Sequence, residues 1–337
     1  MLIRARAPLR ISFAGGGTDV PPYPEMEGGC VLSATISRYA YGTLRPRDDE
    51  QIVVRSVGYD AVVNYSVHDR LELDGHLDLV KAAIMKLRGQ ESRGFDLFLH
   101  TEAPPGSGLG SSSALAVVLI GLLKEFKNLI LTDYDVARLA CVLERQDLGI
   151  AGGYQDQYAA TFGGFNYIEF FKDRVVVNPL RLPADVVNEL QHNLVLCHTG
   201  TVRMSGGIIV DQVRRYETGE TLEALRELKR LTVAMKAALL HRQYTVFGRL
   251  LHEEWQVKKA LSPKISTPAI DRLYDLAREA GAIGGKVTGA GGGGYMLLYC
   301  PFDKKVDVEY ALRSAGAAIT GFSFEQEGLQ TWRVNDE

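Results

Sequence analysis

The chain lacks the tripeptide Gly-Lys followed by Ser or Thr that closes a Walker phosphate loop; its nearest approach, Gly285-Lys286-Val287, ends in valine. It has only 4 cysteines (Cys30, Cys141, Cys197 and Cys300), with no Cys-x-x-Cys pair. Each lies in an apolar stretch, so buried reduced thiols are expected and a zinc site is not. There is no basic excess: 38 Lys and Arg stand against 41 Asp and Glu, a net charge of −3. That excludes a nucleic-acid binder working through a large basic surface. No apolar run approaches the length of a membrane-crossing helix. Met1-Leu2-Ile3-Arg4 has no signal-peptide core, so a cytoplasmic protein is expected. Repeats, low-complexity tracts and charged tails are also missing. What remains is a chain of 337 residues, 46% hydrophobic, long enough for about two core-forming units.

The first third reads mainly as strands: Ile3 to Ala14, Cys30 to Leu44, Ile52 to Val57, Ala61 to Val67 and Phe95 to Thr101. Helical spacing of apolar residues predicts helices over Leu77 to Leu87, Ser112 to Phe126 and Asp133 to Gln146, the last opened by Thr132. A hairpin around Lys172-Asp173 and a strand from Asn193 to Cys197 follow. Helices are then expected over Met204 to Tyr216, Leu222 to Leu240, Tyr244 to Leu261 and Ala269 to Ala280. Strands at Gly294 to Cys300, Ala318 to Phe324 and Thr331 to Val334 close the chain. Pro179 and Pro183 mark a boundary between two α+β halves.

The stretch Pro104-Pro105-Gly106-Ser107-Gly108-Leu109-Gly110-Ser111-Ser112-Ser113-Ala114 lies between a strand and an apolar helix. Small residues let a phosphate approach backbone N–H groups, and the helix dipole favours its charge. The serines can cap the helix or offer hydroxyls to a phosphate or metal ion. A flexible linker would not sit between two strongly apolar segments. A second cluster, Gly15-Gly16-Gly17-Thr18-Asp19, ends the first strand and offers a carboxylate to a polyhydroxylated ligand, although Asp19 taken alone reads better as a turn cap. A third, Thr288-Gly289-Ala290-Gly291-Gly292-Gly293-Gly294, precedes a strand and suggests close backbone approach. Glu144 and Asp156 flank a Gly-broken loop. One acid of such a pair suits Mg²⁺, the other the activation of a hydroxyl nucleophile.

In this order, Ala7 to Asp19, Pro104 to Ala114 and Thr288 to Gly294 resemble the three motifs of the GHMP kinase superfamily, and the resemblance spans essentially the whole chain. It is closest to the heptose kinases of that superfamily, on three features: Arg6 to Phe13 followed by Gly-Gly-Gly-Thr-Asp, Gly152 to Tyr158 with Gly163 to Asn166, and Lys286 to Ala290 with its glycines. It implies an α+β, two-domain GHMP kinase fold. Residues 1–185 would form an N-terminal mixed α/β domain of the ribosomal-protein-like type. Residues 186–337 would form a C-terminal ferredoxin-like domain with additional helices. The implied activity is ATP-dependent phosphorylation of the anomeric hydroxyl of D-glycero-D-manno-heptose 7-phosphate in bacterial surface-glycan synthesis, by a monomer or homodimer.

Residue by residue, the resemblance implies that Pro105, Gly106, Ser107, Gly108, Leu109, Gly110, Ser111 and Ser112 wrap the ATP phosphates. Ser112 and Glu144 would hold Mg²⁺, Asp156 would be the catalytic base, and Arg10 would lie near the base and the transferred phosphate. Gly16, Gly17, Thr18 and Asp19 would meet the substrate, with Thr199, Gly200, Gly291 and Gly292. The acceptor's own phosphate needs a further basic residue. Arg203, in Thr199-Gly200-Thr201-Val202-Arg203, is the first candidate, and Lys258 or Lys259 the second. Arginines and lysines on helix faces are ordinarily solvated, which weighs against all three. The glycines at 15–17 replace side chains that galactokinases carry there, which speaks against simple galactose recognition. Competing readings are another kinase of the superfamily (fucose, galactose or mevalonate type) and a sugar and nucleotide sensor without turnover.

Overall fold

Strand β1 (Leu2–Ala14) alternates between buried and more exposed residues as far as Ala7 and is buried on both faces from there on. Ile3, Ala5, Ala7, Leu9, Ile11 and Phe13 all face the core, as the period of a strand requires. The computed structural model describes residues 1–56, 61–87, 93–201 and 206–335. After β1 come α1 (Tyr23–Glu27), β2 (Gly29–Pro46), β3 (Gln51–Ser56), β4 (Ala61–Ser66), α2 (Asp78–Lys86) and β5 (Phe95–Thr101). Helices α3 (Ser111–Phe126), α4 (Asp133–Val142) and α5 (Gln155–Phe162) follow, then β6 (Phe165–Phe170), β7 (Val175–Pro179), α6 (Ala184–Asn193) and β8 (Leu194–His198). The remainder runs α7 (Gly206–Glu217), α8 (Leu222–Leu240), α9 (Tyr244–Lys259), α10 (Pro268–Glu279), β9 (Gly284–Val287), β10 (Tyr295–Tyr299), α11 (Lys305–Ser314), β11 (Ala318–Thr320) and β12 (Gln330–Val334).

The first sheet has strand order β12-β1-β2-β5-β3-β4, and β2 also carries β6, which carries β7. The length of β2 makes this branching possible: its first half pairs with β6 and its second half with β5. Among the described residues only the β3–β5 pairing of this sheet is parallel. Helix α3 packs on β1 and β2 and is buried continuously from Ser113 to Leu123, which explains its nearly unbroken apolar sequence. The second sheet, β11-β8-β10-β9, is antiparallel throughout. One large core runs from the first sheet through α3 to Leu196, Met235, Phe247 and Leu297, and a second gathers around Trp255, Tyr274 and Met296. The expected α+β content is present, and all four cysteines are free and buried. Among the described residues no helix is long and apolar enough to cross a membrane.

Several elements differ from expectation. The helix predicted over Asp133 to Gln146 is α-helical only to Val142 and widens into a π-helical turn at Leu143–Asp147. The strand predicted over Ala318 to Phe324 stops at Thr320, because the chain then leaves the second sheet; Phe324 makes an isolated bridge to Ile36 of β2. The predicted start at Met204 lies outside the described residues, and α7 is described from Gly206. α6 and α11 were not predicted, since each buries only a thin stripe (Val186 and Leu190; Val308 and Leu312). The division at 185/186 falls in the first turn of α6, while β12 returns to pair with β1 in register Leu2↔Val334.

Candidate active site

The loop between β5 and α3 is built on alternate left-handed glycines: Gly106, Gly108 and Gly110 have φ of 77°, 80° and 75°. Backbone conformation disfavours a side chain at all three, and space adds to it: it excludes one at Gly108 and is tight at Gly110. A Cβ on Gly108 would lie 2.6 Å from the Thr288 carbonyl oxygen, and one on Gly110 would lie 3.3 Å from Asp156 Oδ2. Gly110 is the N-cap of α3 and supplies no side chain, so the first amides of a sixteen-residue helix are left for a ligand. The expected serine cap is absent. Ser112 donates to Glu144 Oε1 at 2.9 Å and Ser113 to Glu144 Oε2 at 2.6 Å, while Ser111 turns back to the Pro104 carbonyl at 3.3 Å.

The π-helical turn aims Glu144 inward, where it is 2% exposed and also accepts from Gln157. Such turns open a helix locally and occur frequently at functional sites. Arg145 folds back over the following loop, donating to the carbonyls of Ile150 (3.1 Å) and Gly153 (2.8 Å). The loop delivers Asp156 into the first turn of α5. There Arg10 of β1 grips it: Nε and Nη2 lie 2.8 and 2.6 Å from Oδ1, while Nη1 donates to the Gly108 carbonyl at 2.6 Å. Arg10 is thus buried between a carboxylate and the phosphate-loop backbone, although Arg4 on the same strand face is exposed. Bulges at Pro8/Leu9 and Ser12/Ala14 set β1 over this end of the sheet.

Asp19 is 1% exposed. Its Oδ1 accepts from the Gly17 amide at 3.0 Å, and its Oδ2 from the Gln155 amide at 3.2 Å and Gln155 Nε2 at 3.0 Å. Across from it stands Lys258 of α9, whose Nζ donates to the Gly289 carbonyl at 2.9 Å. Burial, reinforced by neighbouring Lys286, pulls the Lys258 ammonium down to about 8. The third glycine loop packs directly on the phosphate loop: the Tyr295 amide donates to the Ser107 carbonyl at 3.1 Å.

These groups line one cleft of about 270 Å³. Of the residues singled out in sequence, it brings together Arg10, Gly16, Gly17, Asp19, Pro105, Gly106, Gly108, Gly110, Ser111, Ser112, Glu144, Asp156 and Gly291. Ser107 and Leu109 are fully buried beneath the loop. Thr18 lies off the cleft, its hydroxyl bonded to the carbonyls of Gly15 and Cys30. Thr199 and Gly200 also lie outside the lining, with Thr199 bonded to the Gly294 carbonyl, and Gly292 bonds the Ile265 carbonyl. Arg203 lies outside the described residues.

The cleft also contains residues that sequence reading had not placed there: Arg145, Gln155, Ile209 and Gln212, with Lys258 raised from a minor candidate. A signal for Lys258 existed. Leu251, Glu254, Trp255 and Lys258 share the buried stripe of α9, so two charged residues occupy apolar positions.

Comparison with known proteins gives a consistent picture. Residues 78–164 match the family of GHMP kinase N-terminal domains, and residues 235–318 that of GHMP kinase C-terminal domains. The D-glycero-α-D-manno-heptose 7-phosphate kinase of Campylobacter jejuni is 39% identical over 98% of this chain and 99% of its own. A crystal structure of a D-glycero-D-manno-heptose 1-phosphate kinase from Bacteroides thetaiotaomicron superposes with a TM-score of 0.84 at 35% identity, covering 99% of this chain and 100% of the other. That of a putative sugar kinase from Campylobacter jejuni gives 0.82 at 39% identity, over 99% and 98% of the two chains.

Proposed function

This chain belongs to the GHMP kinases, and we propose that it uses ATP to phosphorylate the anomeric hydroxyl of D-glycero-D-manno-heptose 7-phosphate, giving the 1,7-bisphosphate. The observation that carries the reading is the Arg10 guanidinium clasped between Asp156 Oδ1 and the Gly108 carbonyl. It fixes a carboxylate and a cation at the mouth of a phosphate loop. A kinase asks little else of its protein than alignment and charge neutralisation. The loop amides and the amino end of α3 suit the ATP phosphates. Asp156 is the group to accept the proton of the anomeric hydroxyl as its oxygen bonds to the γ-phosphorus and the bond to the β–γ bridging oxygen breaks. Arg10 faces the charge that develops there. Asp19, oriented by Gly17 and Gln155, already accepts one bond on Oδ1 and two on Oδ2, and keeps a lone pair of Oδ1 for a sugar hydroxyl.

The residues present fit Mg²⁺. The Ser112 hydroxyl and the Glu144 carboxylate are hard oxygen donors 2.9 Å apart on the cleft wall. Magnesium is ordinarily held by one or two carboxylates plus substrate phosphates. When bound, the ion supplies neutralisation of phosphate charge. Glu144→Gln keeps the shape and removes the charge. It should raise the Mg²⁺ needed for half-maximal rate by about 10-fold or more, on the scale of changes around metal ligands. A magnesium titration at saturating substrates checks this, and an unchanged midpoint would remove Glu144 from the role.

The activity itself is tested by ADP release with ATP and each of heptose 7-phosphate, heptose 1-phosphate, mannose, fucose, galactose and mevalonate. The two heptose monophosphates would give the same bisphosphate and are therefore run separately. Turnover should be greatest with the 7-phosphate, with a new anomeric phosphate in the phosphorus NMR spectrum. Tight binding of sugar and nucleotide without ADP release would favour a sensor instead.

A further inference from the structure

Lys258 is a buried cation without an acid of its own. Glu254, one turn earlier on α9, is taken by Lys286 of β9 at 2.7 Å, with both side chains fully buried. Among the described residues no carboxylate lies within ion-pair distance of Lys258 Nζ, and its hydrogen-bond acceptor is the Gly289 carbonyl. Glu254, Lys258 and Lys286 therefore sum to one net positive charge, each of them 3% exposed or less. Buried uncompensated charge is costly, and it persists most readily where an anion arrives to meet it.

The position of Nζ narrows which anion. On one side, the Gly289 that it bonds packs on the phosphate loop: a Cβ on Gly289 would lie 2.8 Å from Gly108 Cα. On the other, it stands over Gly16, where a Cβ would lie 2.9 Å from Nζ and 3.4 Å from Nε2 of Gln155, the amide that orients Asp19. The ammonium thus sits between the backbone suited to the donor phosphates and the carboxylate suited to the sugar. Only one of its three N–H bonds has a protein acceptor among the described residues. We propose that Lys258 is a catalytic residue of the transfer site, its ammonium contacting the phosphoryl oxygens as the group passes from ATP to the acceptor hydroxyl. The inference rests on the kinase reading above.

A dependence on pH follows. The groups that face Lys258 are Arg10 from β1 and Lys286 from β9, which with burial favour the neutral amine, and Asp19 and Glu254, which favour the ammonium. In the free enzyme the balance lies at about 8. The charged form is the competent one, so kcat/KM should fall as pH rises through that value. The limb in kcat should lie higher, because bound phosphate favours the ammonium.

The test compares the full chain with Lys258→Met and Lys258→Arg, using ATP, Mg²⁺ and heptose 7-phosphate. Lys258→Met should lose about 10²-fold in kcat, the scale for removing one donor from a developing oxyanion, with a smaller change in KM for ATP. Its melting temperature should not fall, since the substitution removes a buried charge. Lys258→Arg should restore part of kcat and abolish the alkaline limb near pH 8, because arginine stays charged. Wild-type kcat in Lys258→Met, or a limb near 8 that survives in Lys258→Arg, overturns the proposal while leaving the kinase reading intact. A marked fall in melting temperature in Lys258→Met, with no rescue of kcat by arginine, overturns it in favour of a structural role. Failure of the unmodified chain to turn over any acceptor would instead defeat the kinase reading.

Discussion

Asp156→Asn should lower kcat by about 10² or more, the usual contribution of a positioned general base, while leaving the binding of a non-hydrolysable ATP analogue largely unchanged. The separation of effects follows from the geometry. The residue's Oδ1 is occupied by two nitrogens of Arg10, at 2.8 and 2.6 Å, and Oδ2 is the oxygen turned toward Gly110. Asparagine keeps an oxygen for Arg10 and so preserves the clasp on the Gly108 carbonyl that shapes the phosphate loop. What it loses is the capacity to take a proton. The anomeric hydroxyl is more acidic than an ordinary alcohol, so a carboxylate is an adequate base for it. Single-turnover rates with calorimetric titration of the analogue would distinguish loss of chemistry from loss of binding. Near-normal turnover in Asp156→Asn would remove Asp156 from the role of base. An equal loss in analogue binding would mean that the Arg10 clasp, rather than the proton, was disturbed.

The phosphate loop was legible because its chemistry is local: glycines at 106, 108 and 110, small residues between them, a strand before and an apolar helix after. The first glycine cluster was legible for the same reason. What could not be read was where side chains go once distant segments meet. The serines of α3 looked like caps, yet Ser112 and Ser113 turn to a glutamate 32 and 31 positions along, on a π-helical turn whose hydrogen bonding the apolar pattern does not encode. The third glycine cluster signals close backbone approach in sequence, and the partner it meets is the phosphate loop: a Cβ on Gly294 would lie 2.3 Å from the Ser107 carbonyl oxygen. The pairing of β12 with β1 joins the two ends of the chain, and no local signal reports a partner more than 320 residues away in register Arg6↔Gln330. Lys258 was discounted because lysines on helices are usually solvated, although its place in the buried stripe with Leu251 and Trp255 argued otherwise.

The charged pair behind the cleft yields the largest expected effect on stability. Glu254→Gln should destabilise the fold by about 3–5 kcal/mol, the cost of leaving a buried charge without its partner. The pair itself need not be a strong net stabiliser, because desolvating both ions offsets most of their attraction. Removing only the acid is different. Lys286, fully buried and bonded to Glu254 at 2.7 Å, would lose that carboxylate while still feeling the charge of Lys258. At an unfolding entropy of about 2.1 cal/mol/K per residue, the loss corresponds to a fall of roughly 4–7 °C in melting temperature. The sign of the pH dependence is fixed by linkage. An unpaired buried lysine binds its proton less tightly folded than unfolded, so the unfolded chain holds more protons and stability rises with pH. The deficit of Glu254→Gln relative to the unmodified chain should therefore be greatest near neutrality and narrow as pH rises and the lysine left without its acid gives up its proton. Replacing both partners, as in Glu254→Leu with Lys286→Met, should recover most of the loss, because no buried ion is then left unpaired. Thermal unfolding of the two variants across pH 6 to 10 checks both statements. A Glu254→Gln protein as stable as the unmodified chain at neutral pH would mean that water reaches Lys286 and that the interior behind the cleft is not dry.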